Sequence, residues 1–347
     1  MTRRELVLLA LRGETTPRPA VICPGGMMSF AVTEVMGATG CCWPGAHHDP
    51  VAMARLAVAM QQATGLDNIG LPFCMTVEAE ALGAEINYGT ADVQPRVAVE
   101  PLRVVGRVGA TLRGAHSADG CAPGTVAPTR PDRRPIVLAA IRRARSAAPD
   151  VAVVGNVVGP FSLAGQLVEA GRLLRAVRRE PRAVHDLLAQ CAEVVRQFAL
   201  DQVAVGADVI AIADPTATGE ILGAERYGEF AAPYVREVIA AVHRTGTPVI
   251  LHICGRARTI LPALSATEAE AISLDETADL RTARRSLDGQ RLMGAVSASL
   301  LARGPAEAIA ASGDAALRAG VDILAPACGI VPSTPVAHLR ALAEAVG

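Results

Sequence analysis

The chain of 347 residues contains no lysine at all, so every one of its 33 basic side chains is an arginine. That absence excludes Schiff-base chemistry through a lysine amine, and with it lysine aldolases and pyridoxal-phosphate enzymes. It also excludes a P-loop, whose phosphate grip needs a lysine. Aromatic residues make up only 3% of the chain and the formal net charge is −1, so neither a basic stacking platform for nucleic acid nor a basic membrane patch is written here. No apolar run is long enough to span a bilayer. No GxGxxG follows a predicted strand, and the "GNVVG" stretch at Gly155 is too loose to count as one. The opening "MTRRELVLLALRGE" has a positive end and a short apolar stretch but no small-residue cleavage site. It reads as a helix and not as a signal peptide, which sets the expectation of a cytoplasmic protein.

What the chain does contain is apolar side chains, 51% of all residues, enough for one large core. Eight cysteines fall at irregular positions and read as thiols or ligands, not as a disulfide framework. From about residue 150 strands and helices alternate. "DVAVVGNVVGP", "ADVIAIADP", "TPVILHICG", "AISLDE", "RLMGAVS" and "VDILAPACG" read as strands; "RAVHDLLAQCAEVVRQFALDQVAVG" and "RYGEFAAPYVREVIAAVHRTG" read as helices. Strands buried on both faces mean a parallel sheet. Length and the placing of polar residues favour an α/β fold of the (β/α)8 TIM-barrel type with an N-terminal extension over an open, doubly wound sheet. The Pro- and Arg-rich stretch at residues 123–135 reads as an exposed loop.

Asn156, Asp214, His252, Cys254, Asp275 and Cys328 all fall at or just past the C-terminal end of a predicted strand, where a barrel builds its active site. Side chains alternate along a strand, so His252 and Cys254 face the same way and their tips can share one small cation. Cys328 stands at another strand end and is followed by Gly329, just as Cys254 is followed by Gly255. A site of His252, Cys254 and Cys328 suits zinc, which takes three protein ligands and an open position in its reactive sites. Two thiolates and a neutral imidazole cancel the charge of Zn²⁺. That makes a poor activator of water but a good holder of a further thiolate, which stays nucleophilic. The ligand set therefore points to alkyl transfer onto sulfur more than to hydrolysis. The other cysteines lack such a context: Cys191 is expected in a helix core, Cys23, Cys74 and Cys121 near loops. The Cys41-Cys42 and His47-His48 pairs are poor chelators, because adjacent side chains on a strand point apart.

These stretches, together with "RRELVLLALRGE", "RPAVICPGGMMS", "LPFCMTVEAEALGAEINYG", "IADPTAT", "HICG" and "PACG", make the chain similar to the uroporphyrinogen decarboxylase superfamily. Within it the sequence resembles the methylcobamide:coenzyme M methyltransferases. The resemblance implies one barrel domain over residues 1–347, with residues 1–80 supplying helices and loops that cover the barrel. It implies that His252, Cys254 and Cys328 are zinc ligands and that a methyl group passes from a methyl-corrinoid to a small thiol such as coenzyme M. The corrinoid is expected on a partner protein, since this chain has no Asp-x-His-x-x-Gly motif. Glu80, Glu78 and Asp214 are candidates for a fourth metal ligand, and Asp214, Glu80 and Asn156 for the cofactor side of the mouth. Two alternatives stay open: a decarboxylase of the uroporphyrinogen type, and a corrinoid-dependent enzyme with another thiol or a folate as acceptor. Against the first, no arginine occurs between Arg18 and Arg55, where a polycarboxylate would need one. The oligomeric state is open, a homo-oligomer included.

Overall fold

A computed structural model describes residues 1–25, 29–99 and 132–346, the last of the middle group in backbone only. Its centre is a parallel sheet of eight strands. In chain order the strands are β1 (Ala20–Val21), β2 (Asn68–Leu71), β3 (Glu85–Asn87), β4 (Arg96–Val99), β5 (Ala152–Val158), β6 (Val209–Ala213), β7 (Val249–Ile253), β8 (Ala271–Leu274), β9 (Arg291–Val296) and β10 (Ile323–Pro326). β3 and β4 form a separate antiparallel hairpin, while the other eight run in the order β1-β10-β9-β8-β7-β6-β5-β2. Every residue of β5, β6, β7, β8 and β10 is buried. Helices such as Pro181–Ala204 and Ala232–His243 cover the outer face, and apolar side chains fill the inside. This is the α/β barrel expected from the alternation of elements.

The barrel is nearly closed, and polar side chains finish the closure. Among the described residues no strand ladder joins β1 to β2. Val21 N–H instead donates to Asp67 Oδ2 and Asp67 N–H to the Val21 carbonyl, both at 2.9 Å. Asn68 completes two bonds to the Cys23 backbone at 2.8 Å. The Asn156 amide donates across the seam to the carbonyls of Pro24 at 2.7 Å and Leu71 at 3.1 Å. A Cβ on Gly70 would stand 2.1 Å from the Pro24 oxygen, so the two chains approach as closely as glycine permits. Asn156 thus lies within β5, two residues short of its end, and its side chain belongs to the barrel seam instead of reaching into the mouth.

The N-terminal helix Arg3–Arg12 begins with a Thr2/Glu5 capping box and ends at Gly13 in the left-handed conformation. It buries Leu6, Val7, Ala10 and Leu11 under the N-terminal ends of the strands. Arg4 pairs with Asp208 at 2.8 Å, just before β6, and Arg3 and Arg18 pair with Asp67 just before β2. This end of the barrel is stitched by ion pairs and leaves the opposite end for chemistry. Three sequence expectations need correction. Residues 1–80 do more than cover the barrel, because β1 and β2 are two of its staves. The segment read as one helix from Arg226 is two, Gly219–Phe230 and Ala232–His243, since Pro233 cannot donate into a continuous ladder. Most of the stretch 123–135, and Cys121, lie outside the described residues. The stretch's described end is not an exposed loop: Arg133 is 1% exposed and the helix Arg134–Ala147 follows it. Among the described residues no helix is long and apolar enough to cross a membrane.

Candidate metal centre

β7 carries its apolar residues Val249, Ile250 and Leu251 through the packed wall and delivers His252 to the C-terminal mouth, 3% exposed. Cys254 follows one residue past the strand. The chain then turns sharply at Gly255, whose φ of 71° and whose missing side chain are both required, because a Cβ there would lie 2.5 Å from Glu220 Oε1. β10 delivers Cys328 in the same way, with Ala327 N–H held by the Val296 carbonyl at 2.7 Å. The three side chains meet. His252 Nε2 is 3.2 Å from Cys254 Sγ, and Cys254 Sγ is 3.4 Å from Cys328 Sγ. Their donor atoms all lie within 4.8 Å of one another, the one such group of three among the described residues.

The donors fit a tetrahedral cation. Zinc bonds of about 2.1 Å to nitrogen and about 2.3 Å to sulfur place ligand atoms roughly 3.5–3.8 Å apart. The observed separations are a few tenths shorter, within easy reach of expansion by side-chain rotation. His252 Nδ1 is engaged with Ser273 Oγ at 2.9 Å, which leaves Nε2 directed at the sulfurs. Both cysteines are half-buried, so a small molecule can approach from the mouth. The two thiols lie within hydrogen-bonding distance of each other. The hydrogen bond with Cys254, aided by His252, holds Cys328 down to about 4, and the same bond and burial push Cys254 up.

The other expected residues are placed elsewhere around the mouth. Asp214 follows β6; its carboxylate accepts Ser162 N–H at 2.7 Å, and burial pushes its pKa up to about 6. Glu78 accepts Val158 N–H at 2.8 Å, and burial pushes it up to about 7. Glu80 has both oxygens engaged, one by Arg133 Nε at 2.6 Å and the other by the Tyr88 hydroxyl. None of the three joins the cluster of His252, Cys254 and Cys328. Asn156 is engaged in the seam between β1 and β2.

A second polar cluster, which no sequence pattern announces, stands at the end of β2. The buried Arg133 guanidinium donates to Glu80, to Thr76 Oγ1 at 2.8 Å and to Cys74 Sγ at 3.6 Å, and lies 4.9 Å from the Tyr88 ring centroid. Burial alone would raise the Cys74 pKa, but Arg133 and the adjacent His47 outweigh it and bring the thiol down to about 5. Arg133 sits in the run "RPDRRP", whose charge reads as solvated, so nothing local in sequence marks it as buried.

With this geometry in view, the relatives are informative. The family model for uroporphyrinogen decarboxylase (URO-D) matches residues 2–347. The methylcobamide:CoM methyltransferase MtaA of Methanosarcina barkeri (strain Fusaro / DSM 804) is 32% identical, covering 99% of this chain and 97% of its own. The methylcobamide:CoM methyltransferase MtbA of Methanosarcina acetivorans is 31% identical over the same shares. A solved structure described as a methyltransferase from Methanosarcina mazei superposes with a TM-score of 0.87 at 32% identity, over 99% of this chain and 98% of that one. Matched from end to end in both sequence and fold, the chain belongs to the uroporphyrinogen decarboxylase (URO-D) family, on its methylcobamide:CoM methyltransferase branch.

Proposed function

We propose that this protein is a methyltransferase that moves a methyl group from a methyl-corrinoid, carried by a partner protein, to a small thiol of the coenzyme M kind. The observation that carries the reading is the convergence of His252, Cys254 and Cys328 on one point of the mouth. Two sulfurs and one nitrogen suit zinc and leave room for a fourth, sulfur donor. When bound, zinc lowers the pKa of an incoming thiol and keeps it as thiolate. His252 enters as a neutral ligand, and the two cysteines give up their protons, so the protein donors neutralise a divalent ion. The cysteines are half-buried, which leaves them reachable by a small acceptor. In the transfer the acceptor sulfur gains the methyl carbon, the carbon–cobalt bond breaks with its electrons left on cobalt, and the thiol proton goes to solvent. Relatives named for methylcobamide and CoM support this donor and acceptor.

Two features near the mouth disfavour the decarboxylase alternative. The loop after β1 has no arginine, and Arg133 is already committed to Glu80. Zinc analysis should give one ion per chain, and methylcobalamin should be demethylated only when a thiol is supplied. A panel of thiols with a folate control separates coenzyme M from other acceptors. Cys254→Ala should lose metal and rate together. Undiminished turnover by metal-stripped protein refutes the proposal.

A further inference from the structure

Strand β8 lies hydrogen-bonded beside β7, with Ser273 directly opposite His252. Alternation along the chain puts Ser273 and Asp275 on one side, as it does His252 and Cys254. Ser273 touches His252, and Asp275 touches the residue that follows Cys254. Ser273 is fully buried, and its hydroxyl lies 2.9 Å from His252 Nδ1. An Asp275 carboxylate oxygen accepts the N–H of Gly255, the residue that turns the chain immediately after Cys254. The other oxygen accepts the Thr277 N–H at 2.8 Å and hydroxyl at 2.6 Å, so the carboxylate is itself anchored.

We propose that Ser273 and Asp275 are positioning residues of the metal centre, Ser273 for the ring of His252 and Asp275 for the turn that carries Cys254. The inference rests on the reading that His252, Cys254 and Cys328 hold a metal. A ligating imidazole must be neutral, with one nitrogen on the ion and a proton on the other. The hydroxyl of Ser273 accepts that proton's hydrogen bond, which fixes the tautomer and stops the ring from flipping Nε2 away from the sulfurs. Gly255 has a left-handed backbone and could relax into many conformations if released. Asp275 removes that freedom through the Gly255 N–H, and so holds Cys254 Sγ close to Cys328. The two neighbouring strands divide the roles between them. β7 supplies ligands, and β8 supplies the groups that aim them.

The test is cobalt(II) titration of the metal-free protein, read by the visible d–d bands and the thiolate-to-cobalt charge-transfer absorption. Circular dichroism of each metal-free variant checks the fold. Ser273→Ala should bind cobalt about 10–100-fold more weakly, the range seen when a partner of a metal ligand is lost. Ser273→Thr, which restores the hydroxyl, should recover most of the affinity. Asp275→Ala should weaken binding and alter the charge-transfer band, and Asp275→Asn, which keeps an acceptor, should do so less. If Ser273→Ala does not fold, the Asp275 pair decides alone. Alanine variants that bind as tightly as the parent, with the same spectrum, overturn the positioning roles while leaving the metal centre intact. A threonine variant no better than alanine overturns the role of the hydroxyl. A parent protein that takes up no cobalt and no zinc instead overturns the metal reading on which the proposal stands.

Discussion

Removing Glu80 tests the buried polar cluster at the end of β2. Arg133 is 1% exposed and Glu80 is 3% exposed, and they meet at 2.6 Å. Glu80→Ala leaves a guanidinium in the interior with Thr76, Cys74 and the face of Tyr88 beside it among the described residues. Breaking one side of a buried ion pair costs about 3–5 kcal/mol, because the remaining charge is then neither solvated nor matched. The Cys74 thiolate offsets part of this, so the lower end of the range, about 3 kcal/mol, is the expected loss at neutral pH. For a chain of 347 residues that corresponds to a fall of roughly 4 °C in thermal midpoint. The assay is thermal and urea denaturation of the metal-free protein, followed by circular dichroism. A double-mutant cycle supplies the control. Arg133→Met alone should also destabilise, because Glu80 is then buried without its cation. Glu80→Ala together with Arg133→Met should be much less harmful than the two losses combined, because both charges leave at once. If Glu80→Ala costs less than about 1 kcal/mol, or if the two changes simply add, the buried pair does not carry the energy argued for it.

Two buried groups should give opposite pH signatures. Cys74 is held down to about 5, so its stabilisation is complete above pH 9 and is lost as pH falls through about 5. Cys74→Ala should flatten that slope in urea titrations. Glu78 is pushed up to about 7 by burial, so its contribution is complete below the usual pKa of 4.5 and is lost as pH rises through 7. Glu78→Gln should remove this opposite trend, and a trend of the same sign as that of Cys74 would refute the assignment. At the seam, Gly70→Ala forces a Cβ to within 2.1 Å of the Pro24 oxygen and should cost about 1–3 kcal/mol or more. Hydrogen exchange at the Val21 and Cys23 amides should accelerate with it; unchanged protection would mean the seam tolerates opening. Cys328→Ser should weaken metal uptake as severely as Cys254→Ala, and a variant that retains full zinc would remove Cys328 from the ligand set.

His252 and Cys254 were legible in the sequence because a strand repeats every two residues, and that period alone puts both on one side. The barrel was legible because strands buried on both faces can only be parallel and covered by helices. Cys328 was legible as a cysteine at another strand end, but its 3.4 Å approach to Cys254 exists only because β7, β8, β9 and β10 curve into a closed wall. The same closure took Asn156 out of the mouth and into the seam, and gave Glu80 to an arginine 53 residues away. Ser273 carried no mark of its own, since a serine in an apolar strand reads as filler until its opposite number in the next strand is known to be a histidine. The sequence by itself determined the period, the element types and the chemistry available at each strand end. Only the tertiary structure decided which of those ends face one another, because that depends on register and curvature, which join residues far apart along the chain and leave no local trace in it.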